Sequence, residues 1–314
     1  MLTLHDRFKG RDFLTLADYN SDEIQTILTN AMNLKQKQKC NTPTPYLQGK
    51  TLGMIFQKSS TRTRVSFEVG MYQLGGQGLF LSNNDIQLGR GETVADTARV
   101  LSRFVDGIMI RTFEQSDVEE LAEHADIPVI NGLTDLTHPC QILADLLTIE
   151  EYKGKLAGLK LAYVGDGNNI AHSLLLGCTK VGMHVAVASP ANYQPKDMIV
   201  QVAKEAGKES GGQVEILTDP VAAVANADVV VTDVWASMGQ EQEAQQRLKV
   251  FKDYQVNSQL VSHAKPDYIF LHCLPAHRGE EVTAEIIDGP HSAVWDEAEN
   301  RLHAQKAVMA LLMG

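Results

Sequence analysis

Thr51-Leu52-Gly53-Met54-Ile55-Phe56 runs directly into Gln57-Lys58-Ser59-Ser60-Thr61-Arg62-Thr63-Arg64, and then into Val65-Ser66-Phe67-Glu68-Val69. The first six residues make an apolar run of the length of a buried strand. Val65 with Val69, and Phe67 with Met71 and Leu74, then follow at the helical intervals i, i+4 and i, i+4, i+7. The polar cluster therefore sits at a strand-to-helix turn, where unpaired N–H groups and the positive end of the helix dipole already favour an anion. Hydroxyls and forked guanidinium groups suit that anion to be a phosphate, because Arg donates two parallel hydrogen bonds. Helix capping and solvated charge account for one Ser and one Arg. They do not account for two arginines alternating with hydroxyls.

Outward from this turn, strand and helix signals alternate along nearly the whole chain, the pattern of parallel sheets with crossover helices. The expected fold is α/β, with two domains that are each a mostly parallel sheet flanked by helices. Strands are predicted at 51–56, 78–82, 107–111 and 127–130 in the first half. In the second half they are predicted at 159–164, 183–188, 213–217, 228–232 and 268–272. Helices are predicted from Ser21, over Val94–Val105 and Val118–His124, from Pro139 to about Glu151, and over Glu297–Leu312. Pro139 directly follows His138, a common arrangement at a helix start. Lys153–Gly158 breaks the pattern, so the expected division is 1–152, with the last helix (297–314) packing back onto it, and 153–296. Trp235–Gln245 lacks periodicity, as functional loops often do.

The 314 residues suffice for two ordinary domains, and 44% hydrophobic with 21% charged residues is a globular composition. Lys plus Arg number 28 against 39 Asp plus Glu, a formal net charge of −11, which argues against a nucleic-acid surface. Neither a membrane span nor a signal-peptide pattern is read, so a cytoplasmic address is expected. Cys40, Cys140, Cys178 and Cys273 form no C-x-x-C pair, so neither a structural zinc nor a disulfide framework is suggested.

Further candidates lie where strands end. Arg111 closes the run Gly107–Ile110, at the carboxyl edge where open parallel sheets bind ligands. His138 and Gln141 stand at a helix start, able to donate to a carbonyl turning into an oxyanion; His138 as a simple helix cap is an equal reading. Gly165-Asp166-Gly167-Asn168-Asn169-Ile170 opens like a dinucleotide fingerprint, but Ile170 replaces the third Gly, and a small polar ligand fits the asparagines better. Asp233 ends another strand and suits an ammonium group. Cys273 follows the last strand beside His272 and His277, placed to exchange protons with a substrate, although a buried inert thiol is the commoner fate. Gly49-Lys50-Thr51 mimics a P-loop tail, yet Thr44 stands where Gly is needed and the strand follows rather than precedes.

Taken in order, Ser60–Arg64, Asp85–Glu92, Met109–Thr112, His138–Gln141, Gly165–Asn169, Asp233–Gln240, His272–Pro275 and Glu299–Arg301 resemble the ornithine carbamoyltransferase family over nearly the full chain. The resemblance implies a carbamoyl phosphate site in the first domain, an ornithine site in the second, and catalysis in the cleft between domains. It assigns Ser60, Thr61, Arg62, Thr63 and Arg111 to the phosphate, and His138, Gln141 and Arg62 to the carbonyl oxygen. Gln87 is implied to reach the phosphate side, within the chain or from a neighbouring subunit, since the family is built on trimers. Asn169, Asp233, Ser237 and Met238 are implied to hold the α-amino and α-carboxylate groups. Cys273 with Leu274 lies where the side-chain amine attacks, and Arg301 completes the carbamoyl phosphate pocket. The residues implied to be catalytic are Cys273, Arg62, His138 and Arg111.

The implied reaction yields citrulline and phosphate. It calls for no metal or redox cofactor, because carbamoyl phosphate already carries an electrophilic carbon and a good leaving group. The implied partners are the two substrates and further copies of the chain, as a homotrimer or an assembly of trimers, with neither nucleic acid nor membrane. Rival readings are a carbamoyltransferase for another amine, such as putrescine or an acylated ornithine, a nicotinamide-dependent oxidoreductase, and a non-catalytic assembly partner.

Overall fold

The computed structural model describes residues 7–83, 86–236 and 243–314. Asp85, Ser237 and Met238, each singled out in the sequence, lie outside the described residues. The chain forms two compact units, Met1–Ala144 with Asn300–Gly314, and Asp145–Glu299.

The first unit begins with α1 (Ser21–Lys39), started by a reciprocal capping box between Asn20 and Glu23. Then come β1 (Thr51–Phe56), α2 (Thr61–Gln73), β2 (Gln77–Ser82), α3 (Val94–Leu101), β3 (Gly107–Arg111), α4 (Gln115–His124), β4 (Val129–Leu133) and the start of α5 (Pro139–Lys153). All strand pairs are parallel, in the order β2-β1-β3-β4. β1 and β3 are central and buried, as their unbroken apolar runs require, and Ile55, Ile108 and Ile110 pack with Val118, Leu121 and Val129. β2 is an edge strand, so Leu79 and Phe80 remain partly exposed.

The second unit contains β5 (Lys160–Val164), α6 (Asn169–Lys180), β6 (His184–Ala188), α7 (Asp197–Ser210), β7 (Gln213–Leu217), α8 (Pro220–Val224) and β8 (Val229–Thr232). It continues through α9 (Ala244–Val250), α10 (Ser258–Val261), β9 (Ile269–His272) and α11 (Ala284–Ile287). Its parallel sheet runs β7-β6-β5-β8-β9. The last helix, α12 (Val294–Met313), carries the chain back into the first unit, where the Gly10 N–H donates to Leu312 O at 2.9 Å. Gly70 on α2 admits this helix, since a Cβ there would stand 2.8 Å from Met309 Cε. Among the described residues no helix is long and apolar enough to cross a membrane.

The nine predicted strands are all present, with ends shifted by at most two residues except in β4, which runs to Leu133 rather than 130. Three helices differ from expectation by three residues or more, among them α12, which starts at Val294 rather than Glu297. α3 stops at Leu101 rather than Val105, because Ser102 Oγ bonds back to Ala98 O while accepting from Asp126 N. α4 starts at Gln115, three residues before Val118, because its first turn is polar and carries no apolar periodicity.

The strand orders decide where ligands can bind. From β1 the first sheet grows one way to β2 and the other way to β3, so its topological switch point lies between β1 and β3. In the second sheet the switch point lies between β5 and β8. The crevice outside the carboxyl ends of such a strand pair is the binding position of open α/β sheets.

Candidate active site

In the first unit, Gln57–Ser60 and Arg111–Thr112 leave the carboxyl ends of β1 and β3. Phe56 pairs with Arg111 in register, and Gln57 N–H donates to Arg111 O at 2.9 Å. The two sequence-predicted phosphate segments therefore flank one switch point. Ser60 caps α2, accepting from Thr63 N–H at 3.2 Å, while its own hydroxyl donates to Thr63 Oγ1 at 3.1 Å. Arg301, from α12, donates through Nη2 to the same Thr63 Oγ1 at 2.8 Å. Thr61 is exposed, Arg62 is half-buried, and Thr63, Arg111, Gln141 and Arg301 are buried. Gln87 is exposed and opens a short 3-10 turn.

His138 is buried, and burial first, then Arg301, then Arg111 hold its imidazole well below the usual histidine range. The ring is thus neutral at physiological pH, a donor or acceptor beside two guanidinium groups. Cys140, two residues on, donates its thiol to Asn131 O at 3.4 Å and is pushed up to about 12 by burial, which makes it a packed thiol. Lys58 is buried against Phe113, 4.3 Å from the ring centroid, and pairs with Asp135. Lys50, the P-loop decoy, binds Asp106 at 2.9 Å and serves the sheet.

The His138 shift fixes a pH dependence. A depressed native pKa gives stability that is present above the unfolded imidazole's range, near about pH 6.5, and is lost as pH falls through it. His138→Gln is expected to flatten the fall of Tm between neutral and mildly acidic pH. An unchanged slope in thermal melts counts against this.

In the second unit, Gly165–Asn169 leaves β5 and Asp233 leaves β8, again on the two sides of a switch point. A Cβ on Gly167 would lie 2.3 Å from Pro195 N, so this turn admits only glycine there. Asn168 caps α6, accepting from Ile170 N–H at 2.9 Å, and its Nδ2 donates to Asp233 Oδ2 at 2.9 Å. The Cys273 thiol donates to Asp233 Oδ1 at 3.1 Å. Both oxygens of Asp233 are thereby oriented. Arg247 braces the same turn, binding Asp166 Oδ2 at 2.7 Å and Trp235 O at 2.9 Å. Asn169 is buried, and Cys273 and Leu274 are half-buried.

Burial, then the Asp233 carboxylate, push the Cys273 thiol well above its ordinary range. This opposes the thiolate form that the sequence reading allowed for Cys273 as a base. His272 is also not a proton carrier facing a substrate: Nδ1 accepts from Leu274 N–H at 2.9 Å, and Nε2 meets Glu281 Oε1 at 3.1 Å. Among the described residues, donor atoms of Asp233, His272 and Cys273 lie within 4.8 Å of one another, as do those of His277, Glu280 and Glu281. In the first set the imidazole nitrogens and the thiol proton are already committed to protein partners.

The sequence reading missed Asn168, Arg247, Asp166 and Glu281 as supports. Asn168 carried a signal, a cap residue at a strand-to-helix turn, but the other three are known only from what they touch.

A family model described as the carbamoyl-P binding domain of aspartate/ornithine carbamoyltransferase matches residues 11–151. A second, described as the Asp/Orn binding domain, matches residues 157–312. An ornithine carbamoyltransferase of Carboxydothermus hydrogenoformans is 64% identical over 98% of this chain and 99% of its own. That of Bacillus subtilis is 63% identical over 97% and 94%. The solved ornithine carbamoyltransferase from Pyrococcus furiosus superposes with a TM-score of 0.95 at 61% identity, covering 98% of each chain. With both family models matched in order and relatives of such identity spanning its length, the chain belongs to the aspartate/ornithine carbamoyltransferase family.

Proposed function

We propose that this protein transfers the carbamoyl group of carbamoyl phosphate to the side-chain amine of L-ornithine, giving L-citrulline and phosphate. The observation that carries the reading is the convergence of Arg301, Thr63 and Ser60 with a neutral His138 held beside Arg301 and Arg111. Such a set of donors fits a dianionic phosphate joined to a polar carbonyl. Residues 1–152 with 297–314 are the carbamoyl phosphate domain in this reading, and 153–296 are the ornithine domain.

Ser60, Thr61, Arg62, Thr63 and Arg111 grip the phosphate, with Gln87 reaching it as well, and Arg301 completes the pocket. Arg62, His138 and Gln141 donate to the carbonyl oxygen. Asn169 and Asp233, with Ser237 and Met238, hold the α-amino and α-carboxylate groups. The attacking amine must be uncharged, because an ammonium has no lone pair. A thiol held protonated leaves Asp233, acting through the ligand's own α-amino group, as the better proton acceptor. Cys273 and Leu274 then border the amine as it meets the carbonyl carbon. Negative charge growing on the carbonyl oxygen and on the departing phosphate falls on preplaced donors, where it is stabilised without reorganisation.

The reading includes a cytoplasmic address and a homotrimer or an assembly of trimers. Free thiols at Cys40, Cys140, Cys178 and Cys273 support a reducing compartment. Val65, Val69 and Tyr72, exposed at i, i+4 and i+7 on α2, leave an apolar face that favours a subunit contact; Tyr72 alone is 81% exposed. Initial rates with carbamoyl phosphate and ornithine, against putrescine and acetylornithine as competing amines, test the reaction, and light scattering tests the mass. Turnover of putrescine in preference to ornithine would overturn the substrate, and a monomeric mass would overturn the assembly.

A further inference from the structure

We propose that Glu281 is a positioning residue of this site: through His272 it holds the Cys273–Leu274 corner, and with it the Cys273 thiol, against Asp233. The inference rests on the reading that this corner borders the attacking amine.

Glu281 and His272 are both fully buried. The Glu281 backbone is fixed by its neighbours, its carbonyl accepting from Val256 N–H at 2.8 Å while Val282 sits in the core. Its Oε1 receives His277 N–H at 2.6 Å and faces His272 Nε2 at 3.1 Å. The other imidazole nitrogen, Nδ1, accepts from Leu274 N–H at 2.9 Å, so it carries no proton. The ring proton therefore sits on Nε2 and is donated to Glu281. One carboxylate oxygen thus selects the tautomer that can hold Leu274 and gathers both ends of the 272–277 segment.

What is held is a costly conformation. Leu274 has φ +57°, a left-handed backbone that a branched residue keeps only when its surroundings over-determine it. His272 N–H is tied separately to Glu297 Oε2 at 2.8 Å, so the imidazole's bond to Leu274 N–H acts on the corner beyond that first anchor. Cys273 lies between these two anchors, with its thiol on Asp233 at 3.1 Å. The upward shift of that thiol by burial and by Asp233 offers a readout that needs no catalysis.

The test uses the full chain carrying Cys40→Ser, since Cys40 is exposed while Cys140 and Cys178 are buried. Iodoacetamide alkylation of Cys273 at mildly alkaline pH is measured beside kcat and the KM for ornithine. Glu281→Ala is expected to speed alkylation several-fold and to lower kcat by up to about a hundredfold, the order of cost of a misplacement of about 1 Å. Glu281→Gln, whose amide oxygen still accepts from Nε2, is expected to rescue most of both effects. His272→Asn keeps an acceptor near Leu274 without needing Glu281, so Glu281→Ala is expected to add little in that background. If Glu281→Ala fails to fold, His272→Gln, which removes the acceptor facing Leu274, carries the same expectation. Unchanged alkylation in a folded Glu281→Ala or His272→Gln protein, or equal effects of Glu281→Ala in both backgrounds, overturns the proposal. Absence of citrulline synthesis by the parent protein would instead overturn the proposed reaction and leave the thiol comparison standing.

Discussion

Replacing Arg62 by methionine is expected to lower kcat/KM for carbamoyl phosphate by about a hundredfold to a thousandfold, about 3 to 4 kcal/mol of lost transition-state stabilisation. Arg62 is the second residue of α2, in the first turn, where the positive end of the helix dipole already favours an anion. Its guanidinium adds full positive charge where charge accumulates on both the carbonyl oxygen and the leaving phosphate. Methionine has nearly the helix propensity of arginine, and the side chain is only half-buried, so the melting temperature is expected to move little. Steady-state kinetics beside thermal melts make the test: a lowered Tm with unchanged turnover would assign Arg62 to folding instead.

Asp233→Asn is expected to be nearly as severe, lowering kcat/KM for ornithine about a hundredfold or more, as loss of a placed proton acceptor does. The substitution is close to isosteric, yet it removes the charge meant for the α-amino group. The KM for carbamoyl phosphate is expected to hold, because its donors belong to other residues. The Cys273 thiol, no longer facing a carboxylate, is expected to ionise at lower pH and to alkylate faster. Equal loss toward both substrates would point to a general collapse of the β8 end rather than to a lost ammonium partner.

How far such residues can be read from sequence depends on how local their setting is. β1, β3 and β8 were legible because central parallel strands are apolar throughout and their ends are marked by a polar residue, as at Arg111 and Asp233. The turn at Ser60 was legible because capping and anion binding use the same few adjacent side chains. Strand order was not legible, since alternation alone does not say which way each crossover turns. Yet the order is what places Arg111 beside Phe56 and Asp233 across from Asn168. Arg301 came from the family resemblance, and its bond to Thr63 spans 238 residues. Glu281 carried no signal, because an acidic residue in a polar loop reads as solvated until burial and a histidine partner are seen. Lys50 is the reverse case, a motif fragment that its neighbours in sequence already disqualified and that pairs with Asp106 in the structure.

The return of α12 to the first unit has a consequence for biogenesis. Residues 1–144 leave the ribosome well before Asn300–Gly314 is translated, so the nascent first unit must wait, with Gly10, Gly70 and Thr63 uncovered, until α12 has been made. The inserted second unit, contiguous from Asp145 to Glu299, needs no such delay and is free to mature earlier. A pause or premature stop just before Asn300 would therefore spare the later-encoded unit and cripple the earlier one.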